Sequence, residues 1–253
     1  MEIKTGKKNK KLRIDSLLVE KGLVSSRERA QALIMAGKVL VAGLIVDKPG
    51  KEVDPEALLS LKEDLPFVGR GGVKLEGFLK STGIDVTGLV AIDVGASTGG
   101  FTDCLLKRGA KKVYAIDVGK GLIDSRLRAD PRVTVLEEKN FRYLDPSEVG
   151  EPVDLAVIDV SFISLEKILP KTIEFLKEKA TVLALIKPQF EVGKGQVGKG
   201  GIVRDTAKHA EVIEKIARFS EDLGFKVVEI GDSPISGTKG NKEFWIRLET
   251  STD

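Results

Sequence analysis

Val90-Ala91-Ile92-Asp93-Val94-Gly95-Ala96-Ser97-Thr98-Gly99-Gly100 is the stretch on which the reading of this chain turns. VAIDV, apolar apart from one acidic residue, reads as a buried strand, and the glycines after it permit a sharp turn into a helix from Phe101. Downstream the pattern alternates: KVYAID, VTVLE, LAVIDV, a helix from Leu165, TVLALIK, a helix from Ala207, FKVVEI and EFWIRL. Such alternation predicts an α/β fold, a doubly wound and mostly parallel sheet of seven strands, with ligands at the strands' carboxyl ends. The last two strands are joined by GDSPISGTKGNK without a helix. That connection predicts an antiparallel final strand.

The turn is not G-x-G-x-x-G, because Ser97 stands at its centre, so a nicotinamide dinucleotide is disfavoured. A G-x-x-x-G-G turn after an acidic strand end suits S-adenosylmethionine, whose amino-acid part needs polar backbone contacts rather than a pyrophosphate cradle. The expected contacts are Asp93, Gly95, Ser97, Gly99, Gly100 and Phe101. Asp117 closes the second strand, 24 residues after Asp93, where a carboxylate can accept hydrogen bonds from both ribose hydroxyls. Asn140 and Phe141, after the third strand, sit where such folds bind adenine; a polar loop with one buried Phe explains them nearly as well. Gly193 to Gly200, GKGQVGKG, nearly spells a nucleotide-triphosphate loop, but Gly200 stands where a hydroxyl should ligate magnesium. A basic lid over cofactor or RNA, or an ordinary loop, explains that segment better.

Composition narrows the class. The chain has 253 residues, 42% hydrophobic and 31% charged, with a net charge of only +3. This is enough for one large domain or two ordinary ones. Positive charge is concentrated in residues 1–11, which hold Lys4, Lys7, Lys8, Lys10 and Lys11 and are followed by Arg13, so this segment reads as a solvated tail or a polyanion-binding arm. Cys104 is the only cysteine, which excludes an intrachain disulfide and suggests a cytoplasmic protein. With His209 the only histidine, a metal site or a serine–histidine triad has little support. No apolar run approaches the ~20 residues of a membrane span, and no signal-peptide core is expected.

Residues 12–60 read as a separate α-α-β unit. Gly22 stops a first helix, Ser25 and Glu28 form a capping box, and Ala30, Leu33 and Ile34 mark the buried stripe of a second helix ended by Gly37. KVLVAGLIVDKPGKEV then forms two short strands hinged at Ala42-Gly43. The stretch RIDSLLVEKGLVSSRERAQALIMAGKVLVAGLIVDKPG resembles the RNA-binding module named after ribosomal small-subunit protein four. That resemblance implies RNA contacts from Arg13, Arg27, Arg29 and Lys38. Residues 61–80 read as a linker and entry to the second domain, 81–253.

Four ionisable residues complete the pattern: Lys74 beside a glycine-rich turn, Asp159 after LAVIDV, Lys187 after TVLALI, and Glu243 before FWIRL. Two ammonium groups and two carboxylates brought to one crevice could prepare a lysine to act as a base. VGRGGVKLE, AIDVGASTGGFTDCLL, AVIDVSFISL, LIKPQFEVGK, GGIVRD and GTKGNKEFWI together resemble the TlyA family of ribosomal RNA methyltransferases, whose catalytic domain is similar to the FtsJ-type 2′-O-methyltransferases. One departure is Gly69, where the family pattern leads one to expect Ser before Arg-Gly-Gly. The resemblance implies that Lys74, Asp159, Lys187 and Glu243 are the Lys-Asp-Lys-Glu tetrad and Lys187 the base. It further implies S-adenosylmethionine as cofactor, and ribosomal RNA or a ribosomal subunit as partner. An ordinary lysine with pKa ~10.4 would need about 4 kcal/mol of differential stabilisation to fall the roughly 3 units into the useful range. Other functions fit parts of the chain: a membrane-active haemolysin, an RNA-binding protein with an inert methyltransferase-like domain, or a small-molecule methyltransferase.

Overall fold

The computed structural model describes residues 11–35, 37–61, 66–193, 195–198, 200–237 and 240–250. Two compact units divide at residues 64 and 65. Most of the basic N-terminal segment, Lys194 and Lys199 lie outside the described residues.

The first unit runs β1 (Leu12–Arg13), α1 (Ile14–Glu20), α2 (Arg27–Met35), β2 (Val39–Val41), β3 (Leu44–Val46), β4 (Glu52–Val53) and β5 (Leu59–Leu61). Ile14, Leu17 and Leu18 of α1 meet Ala30 and Ile34 of α2 in one core. The expected hinge is present: Ala42 and Gly43 both have positive φ, 48° and 80°, which joins β2 to β3 in a tight hairpin. The helix cap falls one residue later than the sequence pattern suggests. Ser26, not Ser25, precedes α2, and its Oγ accepts a hydrogen bond from the Arg29 amide at 3.2 Å.

The second unit begins with α3 (Arg70–Thr82), so the stretch read from sequence as a linker already contains a long helix of this unit. Then come β6 (Val90–Val94), α4 (Gly100–Lys107), β7 (Lys112–Ile116), α5 (Ser125–Arg128), β8 (Val133–Leu136), β9 (Val153–Ile158), α6 (Leu169–Thr172), β10 (Leu176–Ile186), α7 (Pro188–Glu191), α8 (Thr206–Asp222), β11 (Phe225–Asp232) and β12 (Phe244–Thr250). The seven strands lie in the order β11-β12-β10-β9-β6-β7-β8. β12 is antiparallel to both neighbours, as the helix-free connection predicts, and β6 to β10 pair in parallel.

Both faces of the sheet are covered, which explains why β6 is buried at every position. Val90, Ile92 and Val94 face a core completed by Phe175, Val212 and Ile216. Ala91 faces the other core, where Phe78 of α3, Phe101 of α4 and Trp245 of β12 meet. Phe78 and Phe101 both stack on Trp245, at 4.9 and 5.6 Å between ring centroids. Each such side chain contributes about 1.5–3 kcal/mol by burial, so α3, α4 and the sheet form one body.

Candidate active site

Strand register brings the distant ionisable residues together. Val94 is opposite Ile158, so Gly95 and Asp159 leave the sheet side by side. Ile186 is opposite Phe244 in the antiparallel β10–β12 pair, so Lys187 leaves one strand where Glu243 enters the other. Lys74 arrives from the second turn of α3. The start of that helix presses on the start of α4: a Cβ added to Gly100 would lie 2.8 Å from the Gly72 nitrogen. Only glycine permits this backbone approach, and it sets Lys74 over the strand ends.

The four side chains form a connected cluster. Lys74 Nζ donates to Glu243 Oε2 at 2.6 Å and lies 3.9 Å from Asp159 Oδ2. Lys187 Nζ lies 2.5 Å from Asp159 Oδ1, and its aligned hydrogen bond goes to Ser161 Oγ at 3.1 Å. Lys74, Lys187 and Glu243 are buried. Charged groups are rarely buried unless paired, and here two cations meet two carboxylates in alternation.

A pocket of about 410 Å³ opens on one side of this cluster. Its lining includes five expected cofactor residues, Gly95, Ser97, Asp117, Asn140 and Phe141, together with Asp159. Gly95 has φ +86°, and a Cβ there would meet the Asp159 carbonyl oxygen at 2.8 Å, so the turn is closed to any other residue. Asp117 accepts hydrogen bonds from the Ser97 and Gly119 amides at 2.8 and 2.7 Å, which aims its carboxylate across the turn. The remaining lone pairs can accept from a ligand. Asn140 caps the turn of Phe141–Tyr143, and Phe141 stacks on Phe175.

Asp93, Gly99, Gly100 and Phe101 are not on that lining. Phe101 turns into the core against Trp245, because α4 directs its apolar face at the sheet. Asp93 lies fully buried behind the turn, where Oδ2 accepts from the Thr102 amide and hydroxyl at 3.0 and 2.7 Å and Oδ1 has no partner. Burial pushes its carboxyl up to about 7, only partly countered by Thr102 and reinforced by Asp159 and Asp117. Three carboxylates, Asp93, Asp117 and Asp159, thus converge at the glycine turn. A cationic ligand relieves their repulsion, so the residues present fit a sulfonium nucleoside carrying an α-ammonium group.

A second pocket of about 320 Å³ is lined by Lys187, Glu243, Gln189, Phe190, Val197, Gly201 and Asn241, and it shares Ser161 and Phe162 with the first. Phe162 is 90% exposed and holds φ +63°, a strained backbone for a bulky residue and a mark of functional sites. Its ring lies 5.0 Å from that of Phe190. Sequence reasoning did not single out Ser161, Phe162, Gln189 or Phe190. Their only signal is position: each follows within three residues a strand end already flagged by Asp159 or Lys187.

Residues 67–250 match the FtsJ-like methyltransferase family and residues 12–59 the S4 domain. Over 246 residues, 96% of this chain and 92% of the relative, the chain is 46% identical to the Mycobacterium tuberculosis protein named 16S/23S rRNA (cytidine-2′-O)-methyltransferase TlyA. It is 39% identical to Hemolysin A of Brachyspira hyodysenteriae over 92% of this chain and 98% of that one. A solved hemolysin-named protein of Streptococcus thermophilus superposes with a TM-score of 0.75 at 45% identity, covering 96% of this chain and 90% of the other. The chain belongs to the FtsJ-like methyltransferase family. In this FtsJ-like chain, no helix among the described residues is long and apolar enough to cross a membrane.

The four residues expected to contact RNA lie in the S4 domain. Arg13 and Arg27 are half-exposed, and both donate to Asp15, which is fully buried. Gln31 donates to the same carboxylate at 3.1 Å and the Ser16 amide at 2.9 Å. These donors hold the Asp15 carboxyl well below the usual range, the Arg13 hydrogen bonds contributing most. Arg29 is exposed and Lys38 partly buried. Asp15, which the sequence reading passed over, is the residue that orients two of the arginines.

Proposed function

We propose that this chain transfers the methyl group of S-adenosylmethionine to a ribose 2′-hydroxyl of ribosomal RNA. The observation that carries this reading is the junction of the two pockets. They share Ser161 and Phe162, and the Asp159–Lys187 ion pair of 2.5 Å links the lining of one to the lining of the other. A donor in the first pocket and a nucleotide in the second would meet at that pair.

S-adenosylmethionine, when bound, supplies an electrophilic methyl group on sulfur. The protein's part is to align the hydroxyl and remove its proton. Lys187 takes the 2′-hydroxyl proton after its own ammonium proton has left to solvent. Asp159 and Ser161 hold the Lys187 nitrogen and then stabilise the ammonium that forms. Glu243 holds the Lys74 ammonium in place beside Asp159. Gly95, Ser97, Asp117, Asn140 and Phe141 hold the donor, with Asp93 supplying negative charge from behind the turn. Phe162 and Phe190 offer aromatic faces on which the target base stacks, a contact worth about 1–3 kcal/mol. Arg13, Arg27, Arg29 and Lys38 bind RNA phosphates. The rRNA-modifying relative supports the assignment of substrate and reaction.

The test incubates the protein with labelled S-adenosylmethionine and ribosomal subunits and maps 2′-O-methyl sites. Lys187→Ala is expected to abolish transfer while leaving cofactor affinity within about threefold, since Lys187 lines the second pocket and not the first. Near-wild-type turnover in that variant would overturn the assignment of the base.

A further inference from the structure

The polar side chains of the second pocket differ in whether the protein uses them. Lys187 and Glu243 are paired, and Ser161 accepts from Lys187. The Asn241 amide bridges the loop beside it, accepting from the Val203 amide at 3.2 Å and donating to the Gly201 carbonyl at 2.9 Å. Gln189 is the exception. Its Oε1 is buried without a hydrogen-bond partner, although the backbone that carries it is fixed. Lys187 on one side is ion-paired, and Glu191 on the other accepts from Ser164 Oγ and the Leu165 amide at 2.6 and 2.9 Å. A buried amide oxygen left unpaired costs about 1–3 kcal/mol, and no described residue satisfies it.

We infer that Gln189 recognises the Watson–Crick edge of the target base, an inference that rests on the ribose-methylation reading above. The pocket combines two aromatic rings with one uncommitted amide, two residues along the chain from the proposed base. A side-chain amide offers a donor and an acceptor side by side and pairs bidentately with a base edge that does the same. The amino group and ring nitrogen of cytosine form such an edge. Turning the amide toward the pocket lets its oxygen accept from the base amino group and its nitrogen donate to the ring nitrogen, so the orphaned oxygen finds a partner when the base enters. Gln189 is therefore a specificity-determining residue, and Asn241 braces the same pocket through Val203 and Gly201.

The test is a double-mutant cycle between protein and RNA. Wild type and Gln189→Leu are compared on ribosomal RNA carrying, at the mapped position, either the natural nucleotide or an analogue whose base keeps its ring, and so its stacking, but lacks the amino group, built by ligation. Wild type is expected to lose at least tenfold in kcat/KM on the analogue RNA. Gln189→Leu is expected to show that loss already on natural RNA and to lose less than threefold more on the analogue, with unchanged cofactor affinity. Gln189→Ala serves as a second variant, so that a folding defect in the first cannot decide the outcome. Additive losses, or full activity of both variants on natural RNA, would overturn the role of Gln189. Absence of any 2′-O-methyl product from wild type would instead overturn the underlying reaction, which keeps the two failures distinct.

Discussion

Asp15 and Asp93 are both fully buried carboxylates, yet their environments drive them in opposite directions. In the S4 domain Asp15 collects Arg13, Arg27, Gln31 and a backbone amide, and is held well below the usual carboxylate range. In the FtsJ-like domain Asp93 has only Thr102, keeps one oxygen unpaired, and is pushed up to about 7. Burial is common to the two, and the supply of cations is what differs. A carboxylate satisfied by its own domain is a structural part, here one that aims arginines outward. A carboxylate left unsatisfied beside two others is one that an added positive charge would stabilise.

The largest effect that can break this contrast is loss of Asp15. Asp15→Ala is expected to destabilise the S4 domain by about 3 kcal/mol, because several hydrogen bonds to one buried charge vanish together. Urea denaturation followed by a probe in that domain measures this, and cofactor affinity should stay the same. Asp93→Asn should do the reverse. Calorimetric titration is expected to show S-adenosylmethionine binding weakened about 30-fold, or ~2 kcal/mol, while the unliganded protein becomes more stable at pH 8.

The pH dependence follows from the sign of the Asp93 shift. Its carboxyl is raised in the folded state, from 3.8 to about 7, so its contribution to stability is complete below pH ~4 and is lost as pH rises to ~7. The gain from Asp93→Asn should therefore shrink as the pH falls from 8 toward 4. Cofactor affinity of wild type should drop roughly tenfold between pH 7.5 and 5.5 as the carboxylate protonates, and Asp93→Asn should show little of that drop. The smallest expected effect concerns the arginines that Asp15 serves. Replacing Arg27 and Arg29 together by Gln should lower the slope of log affinity for RNA against log salt by up to about 2. An unchanged slope would detach these residues from phosphate binding.

Much of the architecture could be read in advance because period and turn chemistry are local. VAIDV followed by glycines marks a buried strand and its turn whatever the neighbours, and the helix-free GDSPISGTKGNK connection already implies that β12 runs antiparallel. Asp117, Asn140 and Phe141 were legible as strand-end residues of such a sheet, and the structure sets them around one pocket. Phe101 shows the limit of that logic. Its position beside the turn resembled a ligand contact, but the ring completes the core on Trp245, and helix rotation rather than sequence neighbourhood decided which way it points. Phe162 shows the opposite failure. Nothing in SFIS announces a positive φ or an exposed ring, since strain of this kind exists only where surrounding packing imposes it.

By itself, then, the sequence determined the element order, the glycine-rich turn, the S4 pattern and the identity of four ionisable residues, because each rests on residue type and short-range spacing. The tertiary structure alone decided that Lys74 meets Glu243 across 169 positions, that Lys187 lies against Asp159, and that Asp15 is satisfied while Asp93 is not. Those outcomes depend on strand register and on the close approach of α3 to α4. Both are set by long-range packing, which places in contact charges whose separation along the chain carries no trace of it.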